Sequence, residues 1–153
     1  MTPAMEFAIT AQRASGADDS YDSLDGDFIV QAYLWVSLGA VVGAGCRYFL
    51  ARYVAKVLSS DFPYGTLIIN VSGSLILGFF MIWTTERVLA DPRWRLLIAI
   101  GFCGSFTTFS SYAFETFASI ERGQWYVMAA NILANNVLCL AAVLIGAALA
   151  RWL

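Results

Sequence analysis

Four long apolar stretches joined by short polar links constrain this chain more than any other feature. They run at about residues 28–57, 66–83, 94–120 and 125–152. About 20 apolar residues in helical form cross the ~30 Å hydrocarbon core of a bilayer, so each stretch is long enough to span. Helices satisfy every backbone N–H and C=O within one segment, as hydrocarbon demands. The expectation is an all-α membrane protein with four transmembrane helices per subunit and the lipid bilayer as its surroundings. Composition agrees, with 59% of the 153 residues hydrophobic and 13% charged. Trp83, Trp94, Trp125 and Trp152 fall near span ends, where amphipathic rings settle at headgroup level. Four helices are too few to enclose a shielded path with many lining groups, so self-association is expected.

The third stretch carries an anomaly, Gly101-Phe-Cys-Gly-Ser-Phe-Thr-Thr-Phe-Ser-Ser-Tyr112. Glycine, serine and threonine cluster there, where a lipid-facing helix avoids them. Loosened backbone is tolerated at membrane depth only against protein or a water-filled path. At such a break freed carbonyls hold a cation and freed amides face an anion. Residues 104–108 therefore read as an interrupted helix at an ion site.

The other spans hold few polar groups. Asn70 lies about one turn inside the second, and an amide there needs a partner helix or water; it either bonds across to a neighbour or donates to a passing anion. On the fourth, Asn131, Asn135 and Cys139 recur at i, i+4 and i+8, a polar stripe on one face, with Asn136 beside it. Gly39 and Gly43 on the first span form a small-xxx-small pair that admits a second helix closely. Arg47 lies roughly 22 Å along that span from Ala32 at ~1.5 Å per residue. Two readings stand: snorkelling with Arg52 and Lys56, or a positive charge that draws anions to a vestibule.

Charge is unevenly placed. Residues 1–27 hold six acids and one base, Arg13, and read as an acidic disordered tail ahead of a channel domain at 28–153. The tail is no signal peptide, lacking a basic start. In the connections, Pro63 and Gly65 break a helix and Thr66 is placed to cap the next. Five basic residues fall on one side of the four spans (Arg13, Arg87, Arg93, Arg95, Arg151) and three on the other (Arg52, Lys56, Arg122), or four with Arg47. So slight a bias barely specifies direction, and a chain of this kind could pair with its own inverted copy. Cys46, Cys103 and Cys139 read as buried free thiols. With no histidine, no paired carboxylates and no nucleophile beside a base, the chain is not expected to be an enzyme.

Gly101 to Ser110, preceded by Arg47-Tyr48 and by Gly65-Thr-Leu-Ile-Ile-Asn70, resembles the Fluc family of fluoride channels over about residues 32–153. The resemblance implies a broken third helix, an antiparallel, dual-topology homodimer, two fluoride pores and a structural sodium ion at the dimer interface. By position, the sodium would be held by the carbonyls of Gly104 and Thr107 from both subunits. Asn70 would be the pore asparagine, and Phe109 and Tyr112 would occupy the phenylalanine box, where tyrosine at the second position is a departure. The fourth-span pore positions would be Asn131 and Asn135. Thr108 and Ser110 add hydroxyl donors, and Arg47 would stand at the vestibule. The implied function is passive fluoride export across the cell membrane, with no nucleic-acid partner. Neutral donors suit the task, because a conducted ion must also leave, and aromatic ring edges are electropositive without formal charge. The alternative is a proton-coupled exporter of the small dual-topology type. That chemistry needs an embedded acid, and Glu115, after the break, is the one acid well inside a span.

Overall fold

The computed structural model describes residues 28–58, 61–86 and 91–153. The acidic tail, 1–27, lies outside the described residues. These divide into a short segment ending at Leu34 and a bundle, Trp35–Leu153, and all that follows concerns the bundle. Among the described residues the regular structure is wholly helical, with four segments long and apolar enough to cross a membrane: Phe28–Val57, Tyr64–Glu86, Pro92–Glu121 and Trp125–Trp152.

The first of these is α1 and the second α2. In the third, residues 92–106 form α3 and Phe109–Glu121 forms α4. Trp125–Trp152 is α5. α3 opens on Pro92, whose missing N–H costs nothing at a first helical position, with the Asp91 carboxylate accepting from Arg93 N–H at 2.9 Å. Its middle, Arg95–Cys103, is wound as a π-helix. Just beyond α4 lies Gly123, the one glycine with positive φ, 70°, among the described residues. There Gly123 N–H reaches Ile120 C=O and Gln124 N–H reaches Ser119 C=O, both at 2.9 Å. This is the paired closure that a left-handed residue after a helix permits, and it turns the chain into α5.

Close backbone approach at glycines holds the bundle together. A β-carbon on Gly78 would meet the main chain of Val143, and one on Gly146 the main chain of Leu75, so α2 and α5 touch backbone to backbone. Gly39 and Gly43 face Leu97 and Phe102 in the same manner, and Gly101 faces Val36, which seats α1 on α3. Where no water drives helices together, contacts that let backbones meet supply the association.

Large apolar side chains face outward, Tyr126 at 93% and Phe109 at 79% exposure among them, as expected when the surroundings are lipid or a second copy. Two expectations need correction. Cys46 is exposed, and only Cys103 is fully buried. Thr66 does not cap α2, which already begins at Tyr64; its hydroxyl instead donates to Glu115 Oε1 at 2.6 Å.

Candidate functional site

Thr107 and Thr108 are extended, with φ, ψ of −75°, 156° and −149°, 114°. Gly104–Phe106 is helical, so the departure from helix is narrower than residues 104–108. Two donors explain why the chain opens here. Thr108 N–H, which a continuous helix would send to the Gly104 carbonyl, goes to Asn70 Oδ1 at 2.8 Å. Ser111 N–H, which would serve the Thr107 carbonyl, goes to Thr108 Oγ1 at 3.2 Å, the usual side-chain cap at a helix start. Gly73 gives α2 room, since a β-carbon there would strike the Thr107 methyl group.

From Thr108 a directed chain of amides crosses three helices. Asn70 Nδ2 donates to Asn135 Oδ1 at 3.1 Å and to Thr108 C=O at 3.2 Å. Asn135 Nδ2 donates to Asn131 Oδ1 at 2.8 Å and to its carbonyl at 3.2 Å. Asn131 Nδ2 donates to Thr116 Oγ1 at 2.9 Å, and Thr116 returns the sequence to α4 by donating to Tyr112 C=O at 2.7 Å. Asn131 is wholly buried and Asn135 nearly so. Polar groups in that position are costly unless paired, and here each is paired.

Beside this chain lies a cavity of about 310 Å³. It gathers Asn70, Thr107, Thr108, Phe109, Tyr112 and Asn135 from the sequence reading. The Phe109 and Tyr112 rings meet edge-on, 5.5 Å between centroids and 63° between planes. Asn131 lies behind the wall. Ser110 touches Thr108 Oγ1 at 3.3 Å and does not line the cavity; nor does Arg47, half-buried on α1. Four lining residues escaped the sequence reading as site members: the apolar Leu77 and the polar Ser74, Asn136 and Cys139. The fourth-span stripe pointed to Cys139 and the adjacent amide to Asn136; nothing in the sequence singled out Ser74 from the other small residues of α2.

Glu115 sits apart. With Thr66 it lines a second recess between α1, α2 and α4, of about 300 Å³, and its Oε2 is buried with no protein partner.

A hard cation takes oxygen ligands. Among the described residues no three His, Cys, Asp or Glu side chains gather to hold a metal; in the arrangement the resemblance implies, the ligands would be main-chain oxygens. Gly104 and Thr107 fit that role, because the amides that would occupy their carbonyls are bonded elsewhere. Gly104 also faces open space, with nothing within 4 Å of a built β-carbon.

Residues 34–147 match the family model described as CrcB-like protein, Camphor Resistance (CrcB). The chain belongs to the CrcB-like family. A relative from Koribacter versatilis, named fluoride-specific ion channel FluC, is 60% identical over 122 residues, covering 80% of this chain and 97% of its own. Proteins of the same name from a Sulfurihydrogenibium species and from Solibacter usitatus are 44% and 41% identical, covering 81% and 78% of this chain and 100% and 98% of theirs. The family match thus runs from within the first span to within the fourth. The cavity and the amide chain lie inside the matched residues.

Proposed function

We propose that this chain is a fluoride-selective ion channel that lets fluoride leave the cytoplasm passively through the cell membrane. One observation carries the reading. Asn70, Thr108, Phe109, Tyr112 and Asn135 line a single cavity in a chain 60% identical to a protein named as such a channel. The cavity offers hydroxyls, amides and ring edges and no formal charge. Such a site replaces part of an ion's water shell and still releases it. Asn70 has both amide hydrogens bonded to protein, so it serves an anion by exchanging Asn135 or the Thr108 carbonyl for it.

In this reading Thr107 and Thr108 interrupt one membrane-spanning helix, and the functional unit is an antiparallel homodimer. Phe109, 79% exposed on one subunit, would then meet the partner. The open face of Gly104 would meet its counterpart, and the Gly104 and Thr107 carbonyls of both copies would hold a sodium ion that adds positive potential near the path. Arg47 would stand at a vestibule. The proton-coupled alternative finds no support in the site, since Glu115 hydrogen-bonds Thr66 in a recess separate from the cavity.

The test is fluoride release from liposomes holding the purified protein, read with a fluoride electrode. Fast release without a proton gradient, excluding chloride and lost in Phe109→Ile, supports the channel. Equal fluoride and chloride flux overturns the selectivity, and strict dependence on a proton gradient overturns the channel in favour of an exporter.

A further inference from the structure

Tyr112 brings a hydroxyl into the cavity, and the side chain that controls it is Asn136. Asn136 Nδ2 lies 2.7 Å from the Ile132 carbonyl and 3.3 Å from Tyr112 Oη. A carbonyl only accepts, so the atom facing it is the amide nitrogen, which fixes the orientation of the amide. That nitrogen has two hydrogens and no available lone pair. One hydrogen goes to Ile132 and the other to the phenol oxygen, which must therefore accept. The phenol's own hydrogen then points away from Asn136. Among the described hydrogen bonds it meets no protein acceptor. Both residues line the cavity.

We propose that Asn136 is a positioning residue for anion passage: by occupying the acceptor side of the Tyr112 hydroxyl, it turns that hydroxyl's proton toward the ion path. The inference rests on the fluoride-channel reading and deepens it. Accepting one hydrogen bond polarises a hydroxyl and strengthens the bond it donates. The amides of Asn70 and Asn135 are already bonded to protein, so an uncommitted proton at Tyr112 is the cheaper one to offer. An arriving fluoride meets it without breaking the amide chain. Orientation also bears on selectivity, because a small anion gains most from a short, aligned donor.

Wild type, Tyr112→Phe, Asn136→Ala and the double variant are reconstituted, and fluoride and chloride release are measured over a range of fluoride concentrations. Each single variant is expected to lower fluoride throughput by about three- to tenfold, the worth of one neutral hydrogen bond, and to raise the fluoride concentration giving half-maximal flux. The double variant is expected to match Tyr112→Phe, because Asn136 acts through the hydroxyl alone. Asn136→Leu, close in volume, replaces Asn136→Ala should the latter not assemble. If Tyr112→Phe conducts like wild type, or if loss of Asn136 lowers flux as much in the phenylalanine background as in wild type, the positioning role is overturned and the channel reading stands. If wild type itself passes no fluoride, the channel reading falls and this inference falls with it.

Discussion

Replacing Asn135 and Asn131 by leucine, singly and together, measures whether the amide chain behaves as one unit. In Asn135→Leu, Asn131 Oδ1 loses the donor at 2.8 Å inside a residue with no exposed surface. An orphaned buried acceptor costs about 1–3 kcal/mol. Asn70 loses one partner and keeps the Thr108 carbonyl, so about 2 kcal/mol is a central value for this variant. In Asn131→Leu nothing is orphaned, since Asn135 keeps the residue-131 carbonyl and Thr116 still donates to Tyr112. Two side-chain bonds are lost, at about 0.6 kcal/mol each for a membrane protein, giving about 1 kcal/mol. The double variant orphans no buried acceptor but loses four side-chain bonds, at about 0.6 kcal/mol each giving about 2 kcal/mol, below the sum of the singles and leaving a coupling of about 1 kcal/mol. Unfolding in mixed micelles by added dodecyl sulfate, followed by the fluorescence of the five tryptophans, reads all four proteins. If the two losses add to within about 0.5 kcal/mol, the residues act independently and the reasoning is refuted.

Gly146→Val places a side chain against the Leu75 main chain at the α2–α5 crossing, and overpacking of this kind costs about 1–3 kcal/mol. The same micelle titration should register it, together with a broadened gel-filtration profile, and an unchanged midpoint would count against the crossing. Gly104→Ala should leave the single subunit as stable as wild type, because φ there is −62° and nothing lies within 4 Å of the new methyl group. If Gly104 faces a second copy, the dimer fraction in detergent should fall, and an unaltered dimer would argue against that placement.

Much of this was legible in the sequence because the bilayer demands it. Apolar runs of the right length must be helices, and Pro63 with Gly65 carries its own reason for ending one before the next begins. The polar stripe on α5 was also readable, since residues four apart share a face. Partners were harder to read, because they depend on how helices rotate against each other. Asn70 left two readings open, a bond to a neighbouring helix or a donor to an anion, and only the rotation of α2 shows its amide meeting Asn135 and Thr108. Thr66 looked like a cap, and the rotation of α4 brings Glu115 to it instead. The opening in the third span was drawn too wide from composition alone. Glycine and serine at residues 104 and 105 stay within a helical turn, and only Thr107 and Thr108 depart, where Thr108 N–H turns to the Asn70 side chain.

The amide sequence that starts at Thr108 N–H and finishes at Tyr112 C=O has a fixed polarity. Its first link is a main-chain donor and its last a main-chain acceptor, and neither is able to swap roles. Turning over Asn70 or Asn135 would set hydrogen against hydrogen on one side and oxygen against oxygen on the other, and turning over Asn131 would set its amide against that of Asn135 and draw the Thr116 hydroxyl off the Tyr112 carbonyl. The whole row therefore favours one direction, and on the fluoride-channel reading an ion that borrowed one hydrogen from it would leave the same oxygen waiting for that hydrogen on departure.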